Sequence, residues 1–149
     1  MTEPLMPRTT PCASCPYRCT VPGGIWDASE YSKLVAYDAP IPEQPTALFK
    51  CHQGQEELCA GWVAHRDPAD LLALRMGLST GDVDLAVFDY TTTVPLFPSG
   101  REAAAHGVAS IENPDERAQA AIRKIITVRA ASPSGPVTTD AAGPPPARR

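Results

Sequence analysis

The spacing of the cysteines constrains this chain more than any other feature of its 149 residues. Cys12 and Cys15 are separated by two residues, a gap that lets both sulfurs of a tight turn point at one ion. Prolines lie directly before and after this pair and restrict the backbone there. A second, wider pair follows in the middle of the chain. The sequence therefore predicts one metal site with four sulfur ligands: Cys12, Cys15, Cys51 and Cys59.

Two disulfides, or four unconnected buried thiols, are the alternatives to a metal. Disulfides are disfavoured because thiols in the cytosol are normally kept reduced. Energetics favour a metal, because a small domain is only marginally stable and a structural zinc site contributes roughly 10 kcal/mol or more of apparent binding free energy to folding. Zinc is the expected cofactor. An iron–sulfur cluster is the alternative, because it accepts the same four thiolates.

Five further residues are expected to surround the sulfurs. A histidine directly after a ligand cysteine either donates a hydrogen bond to a sulfur or substitutes as a ligand. An arginine offsets the negative charge of the thiolates, and two tryptophans exclude water from them. The fifth thiol is either a resolving or sensing group or an ordinary free cysteine. These residues are His52, Arg18, Trp26, Trp62 and Cys19, with His65 as another substitute ligand if Cys12 or Cys15 is not one.

Charge and hydropathy argue against several classes of function. The 13 basic and 17 acidic residues give a net charge of −4 without a long basic run, so binding to duplex nucleic acid is not expected. No stretch approaches about 20 consecutive apolar residues, so no segment is expected to span a membrane. The N-terminus has no basic region followed by an apolar run. We therefore expect no secretory signal and a cytoplasmic protein.

The chain is predicted to form one domain between two loose ends. Residues 1–11 are expected to form a flexible arm. Residues 12–129 form a single metal-binding domain, with a cysteine half over 12–66 and a helical half over 67–129. Residues 130–149 are rich in Pro, Ala, Ser, Thr and Gly, and this tail is predicted to be disordered because it cannot bury enough apolar surface.

Local signals predict a mainly α fold. We expect a small, irregular, metal-stabilised domain with cysteine-rich knuckles and at most one or two short strands. Asp27 is expected to cap a helix over residues 28–36. One or two helical turns are expected over residues 55–63, where they hold the last cysteine and a tryptophan.

The second half of the domain carries further helix signals. Asp67, followed by a proline, predicts a helix start, and Gly81 predicts the end of that helix. Residues 82–90 alternate apolar and acidic side chains, which predicts a strand or an extended edge. Ser99 is expected to begin a short helix that runs to residue 105. Asn113-Pro114-Asp115-Glu116 is expected to begin the best-defined helix of the chain, whose apolar face contains Ala118, Ala121, Ile122, Ile125 and Val128.

Four short segments resemble an uncharacterised family of small four-cysteine proteins encoded by actinobacteria and their phages. The segments are PCASCPYR at 11–18, VPGGIW at 21–26, FKCH at 49–52 and CAGW at 59–62. The resemblance covers residues 11–78, with a weaker likeness at 103–107. It implies the same four-cysteine ligand set and no particular reaction. Cys19 lies outside the motif of that family and is left out of the ligand set.

The first cysteine pair is also similar to that of the WhiB-like iron–sulfur regulators of actinobacteria. The likeness consists of the spacing from Cys12 to Arg18 and the turn Gly24-Ile25-Trp26. In this chain the remaining cysteines follow that turn instead of preceding it, and no basic DNA-binding tail is present. The likeness implies an iron–sulfur regulator as the alternative function.

We therefore expect a non-enzymatic, metal-binding interaction or regulatory module whose partner is another protein. The alternative is an iron–sulfur redox sensor that works through a partner. An enzyme is disfavoured because the sequence shows no nucleophile–base pair and no phosphate loop. A metal bound by four sulfurs also keeps no open position for a substrate.

Overall fold

A computed structural model describes residues 3–51 and 56–131 of the chain. Isolated β-bridges but no strand occur in these residues, which confirms the prediction of a mainly α fold. Three short 3₁₀ turns connect the helices, over Ile41–Glu43, Pro68–Asp70 and Leu85–Asp89. The five α-helices of the described residues are α1 (Ala28–Ala36), α2 (Ala60–Ala64), α3 (Leu72–Thr80), α4 (Gly100–Val108) and α5 (Glu116–Ala131).

Side-chain caps start three of these helices, and the sequence predicts the first two of them, at Asp27 and Ser99. Asp27 accepts a backbone hydrogen bond of 3.1 Å at the start of α1, and Ser99 accepts one of 3.1 Å at the start of α4. Asp115 accepts one of 2.8 Å at the start of α5. Each bond satisfies an N–H group that has no partner within the first helical turn. Helix α1 has the predicted bounds, whereas α4 continues three residues past its predicted end.

Helices α1 and α4 pack directly against each other, and glycines in α4 set the distance between them. A Cβ atom added at Gly107 would lie 2.0 Å from the ring of Tyr31, and one at Gly100 would lie 2.2 Å from the carbonyl oxygen of Leu34. Tyr31 and Leu34 are both buried. Only glycine allows so close an approach, because it has no side chain to be displaced.

The strand predicted over residues 82–90 is wrong, because this segment contains the 3₁₀ turn Leu85–Asp89. The side chain of Asp84 accepts a backbone hydrogen bond of 2.8 Å and starts the turn. Val83 and Val87 are buried, whereas the leucine between them is 66% exposed. Burial thus recurs every four residues instead of every two, so the alternation in the sequence does not correspond to the two faces of a strand.

Helix α3 begins later than the sequence predicts. Asp67 caps the turn Pro68–Asp70, whereas α3 begins at Leu72. The first N–H of α3 donates instead to the side-chain oxygen of Gln44, at 2.9 Å. Gly81 ends the helix with a φ of 86°, in the left-handed region that favours glycine, as predicted.

The N-terminal arm lies along the domain. Leu5 donates a backbone hydrogen bond to Asp82 at 2.8 Å, and Arg8 donates one to Leu58 at 3.2 Å. Leu58 in turn donates one to Met6 at 2.9 Å. The arm therefore pairs with Leu58, directly before Cys59, and with Asp82, shortly after the end of α3.

Helix α5 contacts the core mainly through its first half. Ala118 is buried, and Ile122 and Ile125 pack against the core while partly exposed. Val128, predicted on the same face, is 54% exposed. The helix extends two residues past the predicted domain end, and the remainder of the predicted tail, from residue 132 onward, lies outside the described residues. Within residues 3–51 and 56–131, none of the helices has the length and apolar character that crossing a membrane requires.

The contact between α1 and α4 gives a first prediction. We expect Gly107→Ala to lower the free energy of unfolding by about 1–3 kcal/mol, because the added methyl group would displace the ring of Tyr31 or the helix itself. Urea denaturation followed by circular dichroism measures this change. Ala105→Gly in the same helix is the control, since residue 105 is exposed and helix propensity alone accounts for a loss of about 1 kcal/mol there. A stabilising effect of Gly107→Ala would contradict the close approach of the two helices.

Candidate metal centre

Two consecutive turns present the first cysteine pair. The N–H of Cys15 donates to the carbonyl oxygen of Cys12 at 3.0 Å, and the N–H of Arg18 donates to that of Cys15 at 3.1 Å. The indole N–H of Trp26 donates to the carbonyl oxygen of Ser14 at 2.8 Å and ties the following loop to these turns. We refer to residues 12–18 as the knuckle.

Backbone pairing brings the second cysteine pair to the same region despite its wide spacing. The N–H of Cys51 donates to the carbonyl oxygen of Glu57 at 2.9 Å, and the N–H of Cys59 donates to that of Phe49 at 2.8 Å. The two short stretches are antiparallel. We refer to them as the paired segment (49–51 with 57–59). Cys59 is also the N-cap residue of α2, which starts directly after it.

The four cysteines of the predicted site converge in the core. All four are buried, with exposed fractions between 1% and 5%, and their thiols are free. Two thiol pairs connect the knuckle to the paired segment. Cys15 Sγ lies 4.0 Å from Cys59 Sγ, and the thiol of Cys12 is hydrogen-bonded to that of Cys51. We refer to the four side chains as the cysteine cluster.

Thiol pairing and burial shift the pKa values of these cysteines, and within the pair of Cys15 and Cys59 the two values shift in opposite directions. The hydrogen bond from Cys59 lowers the pKa of Cys15. The same hydrogen bond, together with burial, raises the pKa of Cys59 well above its usual range. The hydrogen bond with Cys51 and burial raise the pKa of Cys12. Within its pair, Cys15 is thus the thiol that releases its proton first.

The sulfurs of the cluster are hydrogen-bonded as two pairs, Cys15 with Cys59 and Cys12 with Cys51. Along residues 3–51 and 56–131, no three or more His, Cys, Asp or Glu side chains are arranged so that they hold one ion. The 4.0 Å separation of Cys15 and Cys59 is close to the roughly 3.8 Å between two sulfurs of a tetrahedral zinc site with Zn–S bonds near 2.3 Å. The donor chemistry fits a four-sulfur centre, and the binding of a metal stays a prediction.

Gly61 lets helix α2 approach the knuckle. A Cβ atom at this position would lie 2.4 Å from Cys15 Sγ and 2.9 Å from the Cβ atom of Tyr17. The helical turn that begins at Cys59 therefore passes directly over Cys15. Sequence reasoning missed this role, for which the only signal was a glycine between a predicted ligand and a tryptophan.

Arg18 contacts the backbone of the knuckle. Its Nη1 atom donates to the carbonyl oxygens of Pro11 at 2.9 Å and of Cys12 at 3.3 Å. The Oγ atom of Ser14 lies 3.7 Å from Cys12 Sγ. The sequence predicted the arginine as a partner of the thiolates and missed the serine, which lies between the two cysteines of the motif.

The two tryptophans are bonded to different segments of the site. Trp62 is fully buried, and its backbone N–H donates to Cys59 Sγ at 3.4 Å. Its ring stacks on Phe49, with 5.8 Å between the ring centroids. Trp26 is also buried and is bonded to the knuckle backbone. Both side chains are therefore buried and hydrogen-bonded next to cysteines of the cluster, and their role in excluding water from a metal site stays a prediction.

The remaining predicted residues have other surroundings. His52 lies outside the described residues. His65 is buried, its Nδ1 atom lies 2.6 Å from the carbonyl oxygen of Trp62, and its ring stacks on Tyr17 with centroids 4.5 Å apart. The stack with Tyr17 was not predicted. Cys19 is exposed, unlike the four cysteines of the cluster.

The buried histidine predicts an acid-dependent loss of stability. Burial lowers the pKa of His65 from 6.5 to about 4, so the unfolded chain binds more protons between these pH values. The stabilising effect of the neutral ring is complete above about pH 6.5 and declines as the pH falls towards 4, by up to about 3 kcal/mol. We expect His65→Gln to show a smaller loss of unfolding free energy between pH 7 and pH 4.5, measured by urea denaturation. If the wild-type protein and His65→Gln lost the same unfolding free energy over this pH range, His65 would not be the source of the acid sensitivity.

The contact at Gly61 gives a second prediction for this region. We expect Gly61→Ala to lower the free energy of unfolding by about 1–3 kcal/mol, because the methyl group would collide with Cys15 Sγ. Denaturation of the reduced protein in urea measures the effect. Helix propensity alone predicts the opposite, a gain of up to about 1 kcal/mol, so a stabilised variant would show that α2 does not lie against the knuckle.

Comparison with known proteins places the chain in a family without giving it an activity. A family described as one of unknown function, DUF6283, matches residues 7–129, a range that includes the whole cysteine cluster. No curated protein and no solved structure matches the chain. The match covers most of the 149 residues and agrees with the resemblance to an uncharacterised family. The chain therefore belongs to DUF6283, a family of unknown function.

Proposed function

We propose that this protein binds one zinc ion through the cysteine cluster and acts in the cytoplasm as an interaction or regulatory module for another protein. The observation that carries the proposal is the convergence of four buried free thiols from the knuckle and the paired segment. The ligands are Cys12, Cys15, Cys51 and Cys59. The bound ion would fix the two chain segments to each other and so contribute to folding.

The electrostatics of the cluster favour a cation. Zinc binds thiolates, and the hydrogen bond with the partner thiol, together with burial, raises the pKa of Cys12 and of Cys59, so that a negative charge on either sulfur is unfavourable. A divalent cation removes this penalty. The N–H of Trp62 and the hydroxyl of Ser14 lie within reach of two of the sulfurs and can donate to the thiolates.

The proposed role is structural, since a zinc ion with four sulfur ligands has no open position for a substrate. The knuckle, the paired segment and α2 would form a rigid support on which the helices pack. Helix α5 carries two exposed apolar residues, Ile126 and Val128, which are 62% and 54% exposed. They are two positions apart and lie on different sides of the helix, so the contact with a protein partner would use one of these sides.

An iron–sulfur cluster is the second candidate and would use the same four thiolates. The hydrogen bond from the N–H of Trp62 to Cys59 Sγ fits this candidate as well as zinc, because such bonds also tune the potential of cluster sulfurs. The likeness of the knuckle to that of the WhiB-like regulators, and an origin in actinobacteria or their phages, belong to this second proposal. In that case the protein would act as a redox sensor.

Metal analysis of the cysteine variants tests the proposal. We expect about one zinc per chain in protein purified without oxygen, and no visible absorption. Replacing any cluster cysteine with serine should remove most of the metal and lower the unfolding free energy by several kcal/mol, because the binding free energy contributes to folding. Cys19→Ser is the matched control and should retain both metal and stability.

Three results distinguish the alternatives. A brown protein that contains iron and sulfide would overturn the zinc proposal in favour of the iron–sulfur cluster. Equal effects of all five cysteine replacements would overturn the choice of ligands. Protein without any metal, prepared without chelators, would overturn both candidates.

A further inference from the structure

The two thiol pairs of the cluster join segments that are distant in the sequence. Each pair contains one knuckle cysteine and one cysteine of the paired segment: Cys15 with Cys59 and Cys12 with Cys51. The pairs are interleaved, because in chain order the first of the four cysteines pairs with the third and the second pairs with the fourth. This pairing follows from the fold and not from nearness along the chain.

We propose that the metal-free cluster is a site of reversible oxidation by hydroperoxides, and that it forms two specific disulfides, Cys12–Cys51 and Cys15–Cys59. The 4.0 Å between the sulfurs of Cys15 and Cys59 must shorten to about 2 Å, a change within the reach of side-chain rotation. The cysteines of the cluster are all free and face a partner thiol, as oxidation requires.

The chemistry balances with hydrogen peroxide as the oxidant. In each pair one sulfur attacks a peroxide oxygen, which gives a sulfenic acid and releases one water molecule. The second thiol then attacks the sulfenic sulfur, the S–S bond forms, and a second water molecule leaves. Two thiols and one peroxide thus yield one disulfide and two waters. A thiol reductant reverses the reaction by exchange through a mixed disulfide.

Nearness in the sequence predicts a different product. Loop closure favours the shortest loop, which is the one between Cys12 and Cys15, across only two residues. Exposure predicts a third product, a disulfide that contains Cys19, because Cys19 is exposed and the other four cysteines are buried. The three outcomes are chemically distinct, so the disulfide pattern reports directly on the arrangement of the cluster.

The proposed disulfides would replace a metal as the link between the knuckle and the paired segment. Thiolates that form a disulfide are lost as ligands, so oxidation and metal binding exclude each other. Only this consequence, the release of zinc on oxidation, rests on the proposed function. The pairing itself depends on the fold alone.

Peptide mapping of the oxidised protein tests the inference. The full chain is stripped of metal with a chelator, reduced, treated with hydrogen peroxide, blocked with N-ethylmaleimide and digested without a reductant. Trypsin yields the peptide 9–18, which contains both knuckle cysteines, and a glutamate-specific protease cuts after Glu57 and separates Cys51 from Cys59. We expect the peptide 9–18 linked to both of the other peptides, with Cys19 still alkylated.

Two variants decide the partners, since each keeps both cysteines of the paired segment. Cys12→Ser should link the knuckle to Cys59 at least about tenfold more than to Cys51, because only the Cys15 pair remains. Cys15→Ser should show the reverse preference. The wild-type chain oxidised in 8 M urea is the control, and there the disulfide within 9–18 should predominate by loop-closure entropy.

The inference is overturned if the native protein forms the Cys12–Cys15 disulfide, if Cys19 takes part, or if its products equal those formed in urea. The last result includes the case in which the metal-free chain does not fold. Metal analysis before oxidation separates this inference from the proposed function. A chain that binds no metal but gives the two expected disulfides would support the inference and refute the zinc site.

Discussion

The contact between the knuckle and the paired segment is the interaction on which the rest of the structure depends. Its centre is polar, since it consists of thiol pairs, yet it lies within the main hydrophobic core. The aromatic core residues Tyr17, Phe49 and Trp62 each lie two or three positions from a cluster cysteine in the sequence. Their rings pack on one another, with centroids 5.8 Å apart for Phe49 and Trp62 and 6.1 Å apart for Tyr17 and Phe49. The segments that bring the sulfurs together therefore also supply the aromatic side chains of the core.

The loop that follows the knuckle links the cysteine half to the helical half. The N–H of Gly24 donates to the carbonyl oxygen of Gly107 at 2.9 Å, and His106 Nε2 lies 2.8 Å from the carbonyl oxygen of Val21. Gly24 has a φ of 82°, which lets the loop turn against α4. These contacts give a physical reason for the weak family likeness at residues 103–107. That segment supports the loop next to the predicted ligands.

Asp38 provides a second link between distant parts of the chain. One carboxylate oxygen accepts from Arg66 Nη1 at 3.3 Å, and the other accepts from the backbone N–H of Arg101 at 3.2 Å, near the start of α4. An acidic group is favourable near the positive end of a helix. The residues that follow α1, the residues that follow α2 and the start of α4 thus meet at one side chain. The two sequence halves are one packed unit, because α1 of the first half also packs on α4 of the second.

The sequence by itself determined the features that depend on neighbouring residues. Caps such as Asp27 and Ser99, and the terminating Gly81, act within one helical turn, and so the sequence predicts these helices well. Family membership also follows from local motifs. The tertiary structure alone decided which thiol faces which, how Gly61 brings α2 onto Cys15, and that Val83 and Val87 are buried while the leucine between them is exposed. These features depend on contacts between residues far apart in the chain, and such contacts leave no periodic or spacing signal in a single sequence.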